Sequence, residues 1–513
     1  MHASVRTASP RRLPTRLLSL ASALTCVACA LAGDQAQWGE KWSRNLVSAE
    51  KGLPARVDPR KGENVKWSVP LGTRAYCTPI VAEGRVLVGT NNYRPRDERH
   101  RGDRGVLFCL SEADGKLLWQ LIVPKLDRIP LADFSGVGIC SPPTVEGGRV
   151  YLLSNRTEVL CLDIKGMSDG NAGPFKDESR FMAPKGTPPA PLAPTDADIV
   201  WRCDLVAEVD TRPHDAAHCS VMVHGGLVYS GTCNGVDETH FKLPKPRAPG
   251  LVAIDQRTGR LVATDGAAIG PQLIHCMWSS PSFGRVGDRP LVFFGGGDGV
   301  CYAFEPPKSL PAPGQPPAKL PPVWQFHCDP VGRKDVPLQF QDNRTEGPSV
   351  ISAMPVFVDG RIYITAGGDV WHGKREAWLK CIDASKTGDV TRTAEVWSYA
   401  LKRHCMSTPA VHDGLVYITD VGRMIHCVDA KTGQAVWTQE TGAEIWGSPL
   451  VADGKVYVGT MRGRLWVMAA GREKRLLGAS FLDGPIPTSP TAANGTLYVA
   501  TMRTLYALSK NGK

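Results

Sequence analysis

The sequence predicts an all-β fold: an eight-bladed β-propeller of four-stranded antiparallel blades, closed by an N-terminal strand. Three observations support this prediction. A strand–turn–strand unit recurs eight times, most copies continue into a second half-repeat, and the last copy lacks an outer strand. Four short strands in repeats of about 40 residues or more are typical of propeller blades.

The repeated unit is a short strand led by Ser/Thr-Pro, a Gly turn, and a second strand rich in Val and Tyr. Residues 448–459, SPLVADGKVYVG, show it clearly. Short apolar runs that are rich in β-branched residues and cut by Gly turns indicate strands. The eight copies begin at Thr78, Ser141, Ser220, Ser280, Met354, Thr408, Ser448 and Ser489.

The second half-repeat is an apolar strand that ends at Asp, followed by a Thr-Gly turn and a strand that carries Trp. Asp429, Thr432-Gly433 and Trp437 form one clear copy, while the blades that contain Ala263 and Leu477 lack the Trp. We interpret these Trp side chains as packing between blades. Six outer strands carry one, namely Trp67, Trp119, Trp201, Trp324, Trp397 and Trp437.

The last blade supplies the expectation of ring closure. After the final copy of the repeat only one further strand follows, Thr504 to Leu508. Residues 64–69 have the pattern of an outer strand and precede the first copy. We therefore expect them to pair with the last blade, which removes the edges that an open array would expose.

The half-repeat with Asp, Thr-Gly and Trp resembles the PQQ-like (pyrroloquinoline quinone) propeller repeat. That repeat occurs in quinoprotein dehydrogenases and in non-catalytic relatives of the BamB type. The resemblance covers nearly all of the chain after residue 60. It implies the fold but leaves the function open, because the same Trp and Thr-Gly turn dock neighbouring blades in both groups.

The N-terminus has the composition of a targeting segment. Arg6, Arg11, Arg12 and Arg16 precede an apolar run from residue 17 to 31. We predict a signal peptide at 1–32, an N-terminal extension at 33–62 and the propeller at 63–513, hence export to the periplasm or the exterior. The apolar run is short for a membrane span. Arg11-Arg12 leaves a twin-arginine signal open, and Cys26 or Cys29 leaves a lipoprotein open, although neither follows the usual Leu-small-small pattern.

The net charge and the positions of the cysteines indicate what the protein does not bind and which of its thiols stay free. The net charge of +10 is spread too evenly to indicate nucleic-acid binding. Cys109, Cys161, Cys381 and Cys427 share a third-strand position with Ala in other blades, so we expect a small buried slot and free thiols. Cys77, Cys140 and Cys219 lie closer to the axis, where one disulfide is conceivable. We expect the chain to act as a monomer.

Functional residues are expected on one face of the ring. The d-to-a and b-to-c connections emerge on the same side, here called the top, and seven of the twelve histidines fall in them. Imidazoles and carboxylates that converge from several blades indicate a polar-ligand or metal site at the channel mouth. The candidate ligand-binding residues are Arg74, His214, Asp215, His218, His275, Trp278, Arg344, Glu346, His404, Glu444 and Trp446.

The histidines and the tryptophans among these residues each carry a more specific expectation. We predict that at least two imidazoles of His214, His218, His275 and His404 meet near Glu346 or Glu444 and can hold a transition metal. Trp278 and Trp446 could supply a flat apolar floor for a planar ligand, although packing is the more common role of a Trp at such a position.

The sequence favours an exported scaffold or binding propeller that takes a partner protein or a polar small molecule, including a carbohydrate. The alternative is an oxidoreductase, or another metal- or quinone-dependent enzyme, at the histidine-rich mouth. Quinoprotein dehydrogenases hold PQQ beneath adjacent cysteines and bind calcium through oxygen ligands. This sequence has no adjacent cysteines, and its mouth carries histidines, which disfavours PQQ as cofactor.

Overall fold

Eight four-stranded antiparallel blades surround a central channel, as the repeat predicts. The computed structural model describes residues 1, 2, 4, 33–332 and 337–512. Strands a to d run outward from the channel. In blades 1 to 4 they are Ile80–Ala82, Arg85–Asn91, Arg104–Ser111 and Leu117–Pro124; Thr144–Glu146, Arg149–Leu153, Glu158–Asp163 and Ile199–Asp204; Met222–His224, Leu227–Gly231, Leu251–Asp255 and Leu261–Asp265; Ser282–Val286, Arg289–Gly295, Val300–Phe304 and Pro322–His327.

The other four blades repeat the arrangement, and the last of them closes the ring. Their strands are Val356–Val358, Arg361–Gly367, Ala377–Asp383 and Glu395–Leu401; Ala410–His412, Leu415–Asp420, Met424–Asp429 and Ala435–Glu440; Leu450–Ala452, Lys455–Gly459, Arg464–Ala469 and Leu476–Phe481; Thr491–Ala493, Thr496–Ala500, Thr504–Leu508 and Val65–Pro70. Trp67 lies opposite Ala507 in the antiparallel pair that joins the two ends of the propeller. The predicted closure is confirmed.

In six of the eight blades the repeated Trp docks the blade onto the next one. Trp119 of blade 1 lies opposite Cys109, and its indole N–H donates to the Ile164 carbonyl of blade 2 at 2.8 Å. A Gly with positive φ completes the contact, because a Cβ at Gly259 would lie 2.7 Å from the Trp201 ring. The same indole-to-carbonyl bond joins Trp67 to Glu112, Trp201 to Gln256, Trp324 to Ala384, Trp397 to Ala430 and Trp437 to Gly471.

The slot opposite these Trp residues holds the cysteines. Cys109, Cys161, Cys381 and Cys427 are buried free thiols, as predicted, and Cys77, Cys140 and Cys219 are also thiols. Burial raises the pKa of Cys109, Cys161 and Cys427 to about 12. A thiol with so high a pKa holds little thiolate at neutral pH and is therefore a poor nucleophile.

Substituting any one of the four slot cysteines by alanine should cost at most about 1 kcal/mol of unfolding free energy. Alanine occupies the same slot in other blades, so the change leaves only a small void. Urea denaturation of the four single variants tests the cost, and mass mapping tests the thiol state. A disulfide at any of the four positions would contradict the interpretation.

Insertions between strands c and d form extra strands that link neighbouring blades. Ala318–Leu320, within the insertion of blade 4, pairs in parallel with strand d of blade 3. Gly388–Asp389, from blade 5, pairs in the same way with strand d of blade 4. These short segments cover outer edges that would otherwise be open to another chain.

The segment from residue 34 to 50, here called the N-terminal belt, crosses strand a of every blade beside the a–b turn. It therefore lies on the bottom face of the ring, opposite the top connections. The belt contacts, in blade order, are Gln35 with Val81, Ala36 with Val145, Trp42 with Val223 and Phe283, Ser43 with Phe357, Asn45 with Val411, Leu46 with Val451, and Glu50 with Asn494.

Arg44 anchors the belt from a fully buried position. Its guanidinium donates to the carbonyl oxygens of Ser220 and Val221 at 3.0 and 2.8 Å, and to those of Pro281 and Trp38 at 3.0 and 3.1 Å. Burial lowers its pKa to about 10, so the group keeps its charge at neutral pH. The charge is compensated by carbonyl dipoles from two blades and from the belt itself.

Helices are few and short. The α-helices are Glu178–Met182 and Leu205–Val209, and the 3₁₀ turns are Gly166–Asp169, Gly270–Gln272, Pro337–Gln339 and Lys510–Gly512. Within the described ranges, no helix has the length and apolarity that crossing a bilayer requires. The predicted signal segment, with Cys26 and Cys29, lies outside the described residues apart from its first few positions.

Candidate functional site

Four histidines from three blades meet at the top of the channel, and we call them the histidine cluster. His214 and His275 lie in the connections that enter blades 3 and 4, while His240 and His372 lie in the b–c connections of blades 3 and 5. The ring centre of His214 lies 4.7 Å from that of His240 and 5.0 Å from that of His275. His372 lies 4.7 Å from His275 and 5.2 Å from His240.

Hydrogen bonds orient the cluster. His214 Nδ1 lies 2.9 Å from the Val236 carbonyl, which can only accept, so this nitrogen carries the proton and Nε2 offers a lone pair. That Nε2 faces His240 Nε2 at 3.0 Å. His275 Nδ1 lies 3.2 Å from a carboxylate oxygen of Asp369, which directs His275 Nε2 toward the cluster.

Two carboxylates border the imidazoles. Asp215 places one oxygen 3.6 Å from His214 Nε2 and the other 3.7 Å from His275 Nε2. Burial raises the pKa of Asp215, although the nearby imidazoles oppose that effect. Burial also acts to raise the pKa of Asp369, but the hydrogen bond and charge of His275 hold that pKa below its usual value.

Two of the imidazoles, those of His214 and His372, have lowered pKa values. Burial lowers the pKa of His214 to about 3, and the neighbouring rings of His275 and His240 act in the same direction. Burial and His275 likewise lower the pKa of His372. His214 and His372 are therefore neutral at pH 7, the state in which an imidazole can bind a metal ion or accept a hydrogen bond.

The structure brings together part of the predicted set. His214, Asp215, His275 and Trp278 meet at the cluster, with the Trp278 ring 4.8 Å from His275. The expected approach of two imidazoles is thus present for His214 and His275. Arg74, Glu346 and Glu444 are exposed instead, and Arg344 donates to the Asp369 carbonyl at 3.3 Å from a half-buried position.

The structure places His218 and His404 outside the histidine cluster. Neither joins a group of metal-ligating side chains among the residues that the structure describes. His218 lies deeper, in a cavity of about 100 Å³ lined also by Trp278, Trp446 and Trp38 of the belt. His404 is buried, and burial together with the positive charge of Arg403 lowers its pKa to about 4.

Sequence reasoning missed His240, His372 and Asp369 as members of the cluster. The carboxylates expected nearby were Glu346 and Glu444, but Glu346 accepts from Asn343 and Glu444 from Trp446. The available signal was that both missed histidines lie in top connections. Their b–c loops are long and aperiodic, so nothing in the repeat predicts how far they fold back over the channel.

Comparison with known proteins finds similarity both to BamB and to quinohemoprotein alcohol dehydrogenases. The family model described as "Outer membrane protein assembly factor BamB" matches residues 50–169 and 375–476. BamB of Burkholderia pseudomallei is 30% identical over 112 residues, which are 21% of this chain and 28% of that protein. Quinohemoprotein alcohol dehydrogenase of Comamonas testosteroni is 27% identical over 122 residues, 20% of this chain and 16% of the enzyme. The matched stretches thus span less than a third of either relative.

Solved structures agree on the fold. BamB from Moraxella catarrhalis superposes with a TM-score of 0.52 and 13% identity, covering 86% of this chain and 97% of that one. Quinohemoprotein alcohol dehydrogenase from Comamonas testosteroni gives a TM-score of 0.58 and 14% identity, covering 94% and 81%. The chain is a PQQ-like β-propeller, related both to BamB and to the quinoprotein dehydrogenases.

Proposed function

We propose that this protein is an exported binding propeller that takes a polar ligand at the top of its channel. The observation that carries the proposal is the convergence of four imidazoles and two carboxylates, from three blades, at one mouth. The BamB relatives are named as assembly factors, so a binding role has a precedent within the relationship. Export rests on the N-terminal sequence and on the same relatives.

Exposed aromatic side chains flank the polar mouth. Trp371 is 54% exposed, and its ring lies 5.9 Å from His275. Phe134 is 43% exposed, and its N–H donates to the Asp215 carbonyl; Phe241 follows His240 and is 60% exposed. Large exposed apolar groups beside a polar pocket are typical of ligand sites. Polar groups ringed by aromatic faces suit a carbohydrate, and we propose this class of ligand.

A quinone fits the described residues poorly. The cavity beneath the cluster, between Trp278 and Trp446, measures about 100 Å³. Pockets for drug-sized ligands measure roughly 300 Å³ or more. Trp38 of the belt lines the same cavity. The alcohol dehydrogenase activity named for the quinohemoprotein relatives is therefore not proposed for this chain, and no quinone-dependent step is assigned to its residues.

A titration with soluble oligosaccharides, neutral and acidic, tests the proposed ligand class. Binding should quench the fluorescence of Trp371 or Trp278, and calorimetry should give the affinity. The Trp371→Ala variant should bind about fivefold more weakly, because a stacked aromatic face contributes on the order of 1 kcal/mol. Its stability should stay within about 0.5 kcal/mol of the original, because the ring is exposed.

The Phe481→Ala variant is the matched control. Phe481 is the last residue of strand d of blade 7, a blade that contributes no residue to the histidine cluster, and it is 59% exposed. Its removal should leave oligosaccharide affinity unchanged. Equal losses in the two variants, or no binding of any oligosaccharide, would argue against the proposal. A partner protein that binds the original chain but not Trp371→Ala would instead favour a scaffold role for the same face.

A further inference from the structure

We propose that His214, His240, His275 and Asp215 bind one divalent transition-metal ion, with Asp369 positioning His275 from behind. The inference rests on the proposed function, since the ion would be the group that holds the polar ligand at the mouth. Three imidazoles and one carboxylate form a donor set suited to zinc and its neighbours rather than to calcium.

The donor atoms bracket a common point. Zinc binds nitrogen and oxygen at about 2.0 to 2.2 Å in tetrahedral geometry, which places two ligands about 3.3 to 3.6 Å apart. The His214 and His240 Nε2 atoms are 3.0 Å apart, and the Asp215 oxygens lie 3.6 and 3.7 Å from the Nε2 atoms of His214 and His275. One nitrogen from each of the three histidines lies within 4.8 Å of the other two.

Two of the imidazoles already have the outer partners that metal-binding histidines use. His214 Nδ1 is held by the Val236 carbonyl, and His275 Nδ1 by the Asp369 carboxylate. In metal sites such partners fix the tautomer and aim the opposite nitrogen at the ion. Asp369 is itself fixed, because its other oxygen accepts from the N–H groups of Trp371 and His372.

The His275 ring gives a second, independent indication. Its side chain is 1% exposed, and Nε2 has no hydrogen-bond partner within the described part of the chain. A buried nitrogen without a partner costs free energy unless something else satisfies it. An ion at the proposed position would do so, and would also separate His214 Nε2 from His240 Nε2.

The backbone at two of the four ligands is strained. Asp215 has φ of 59° and His240 has φ of 64°, both in the left-handed region. Residues other than Gly adopt this region at a cost, and such strain clusters at functional sites. Here it turns the Asp215 carboxylate between two imidazoles and brings the His240 ring back over the channel.

A second group of potential ligands does not support a comparable site. Asp97, His100 and Asp196 also lie close together. Arg99 donates to both of these carboxylates, and Arg104 lies 3.2 Å from His100 Nδ1. Both carboxylates are thus satisfied within the protein, and although His100 Nε2 has no hydrogen-bond partner among the described residues, the positive charges of Arg99 and Arg104 would repel a cation.

Equilibrium dialysis of the full exported chain tests the metal site. Protein stripped with a chelator and then dialysed against buffered Zn²⁺ should bind one ion per chain. His240→Ala, which removes a half-buried ligand, should weaken binding more than tenfold. Asp369→Asn keeps the shape of the side chain but loses its charge, and should weaken binding 10- to 100-fold. Bound Co²⁺ should change its visible spectrum in Asp369→Asn, which a purely structural role for Asp369 would not produce.

His426→Ala is the matched control. His426 is another buried imidazole, in blade 6, and it is held outside the cluster by Asp420 of the same blade and Tyr399 of blade 5. This variant should keep one Zn²⁺ per chain with unchanged affinity. The inference is overturned if the original protein binds no Zn²⁺, or if His240→Ala and a His214→Ala/His275→Ala double variant bind it as tightly as the original.

The oligosaccharide titration, repeated on chelator-treated protein, separates the two proposals. Oligosaccharide binding without metal would sustain the proposed function, and the absence of Zn²⁺ binding would remove this inference alone. Stoichiometric Zn²⁺ binding with no oligosaccharide binding would leave the metal site in place and remove carbohydrate as the ligand class.

Discussion

Replacing Arg44 by alanine should lower the free energy of unfolding by about 3 to 5 kcal/mol. The guanidinium is fully buried and donates to four carbonyl oxygens, two in blade 3, one in blade 4 and one in the belt. Alanine leaves these oxygens without their charged donor and leaves a cavity the size of the lost side chain. Urea denaturation, followed by tryptophan fluorescence, measures the shift.

Arg56→Ala provides the comparison. Arg56 is exposed, and its guanidinium makes a single long bond, 3.4 Å, to the Leu477 carbonyl. A surface change of this kind usually stays within about 0.5 kcal/mol. If both variants lost the same stability, or if Arg44→Ala lost none, the belt would not be anchored through this guanidinium.

Acidification should destabilise the protein through His404. Its folded pKa is about 4, because burial and then the charge of Arg403 disfavour protonation. The unfolded value is about 6.5, so the unfolded chain binds the proton first as the pH falls. The contribution of His404 is therefore fully present above about pH 6.5 and is lost between about pH 6.5 and 4. A shift of this size corresponds to about 3 kcal/mol.

The His404→Leu variant isolates that contribution. Neither ring nitrogen of His404 has a hydrogen-bond partner within the residues described, so leucine abandons no polar group. At pH 7.5 the variant should match the original protein within about 1 kcal/mol, and between pH 6.5 and 4 it should lose about 3 kcal/mol less. Parallel pH profiles of stability for the two proteins would contradict the prediction, because they would show that the His404 imidazole takes up its proton at the same pH in the folded and unfolded states.

The fold was predictable because the same sequence pattern recurs from blade to blade. The Ser/Thr-Pro strand, the Gly turn and the Trp opposite a small residue recur with similar spacing. A copy that departs from the pattern can therefore still be assigned by comparison with the other copies. The extra strand Ala318–Leu320 and the belt were not predicted. Both are single, aperiodic segments, and their pairing depends on a neighbouring blade that only the closed ring supplies.

The residues of the candidate site were likewise predictable where they lie close to the repeat, and were not predictable where they lie in aperiodic loops. His214 and His275 lie within a few residues of an inner strand, so the repeat places them near the axis and their meeting could be expected. His240, His372 and Asp369 lie in long b–c loops, where the chain path depends on tertiary contacts such as the bond from the His372 N–H to Asp369. His404 shows the converse, because a position near the axis led only to burial.

The belt has a consequence for how the molecule assembles. Its hydrogen bonds to blades 6 and 8 join residues 366 and 444 positions apart, so the first part of the propeller chain to be made contacts the last. Contacts of such long sequence separation slow folding. The belt can settle only after blade 8 exists, and a chain truncated before that blade would leave it without its final partners. Belt docking thus marks the completion of the whole ring, and protection of residues 34–50 from proteolysis would report when each newly made molecule is finished.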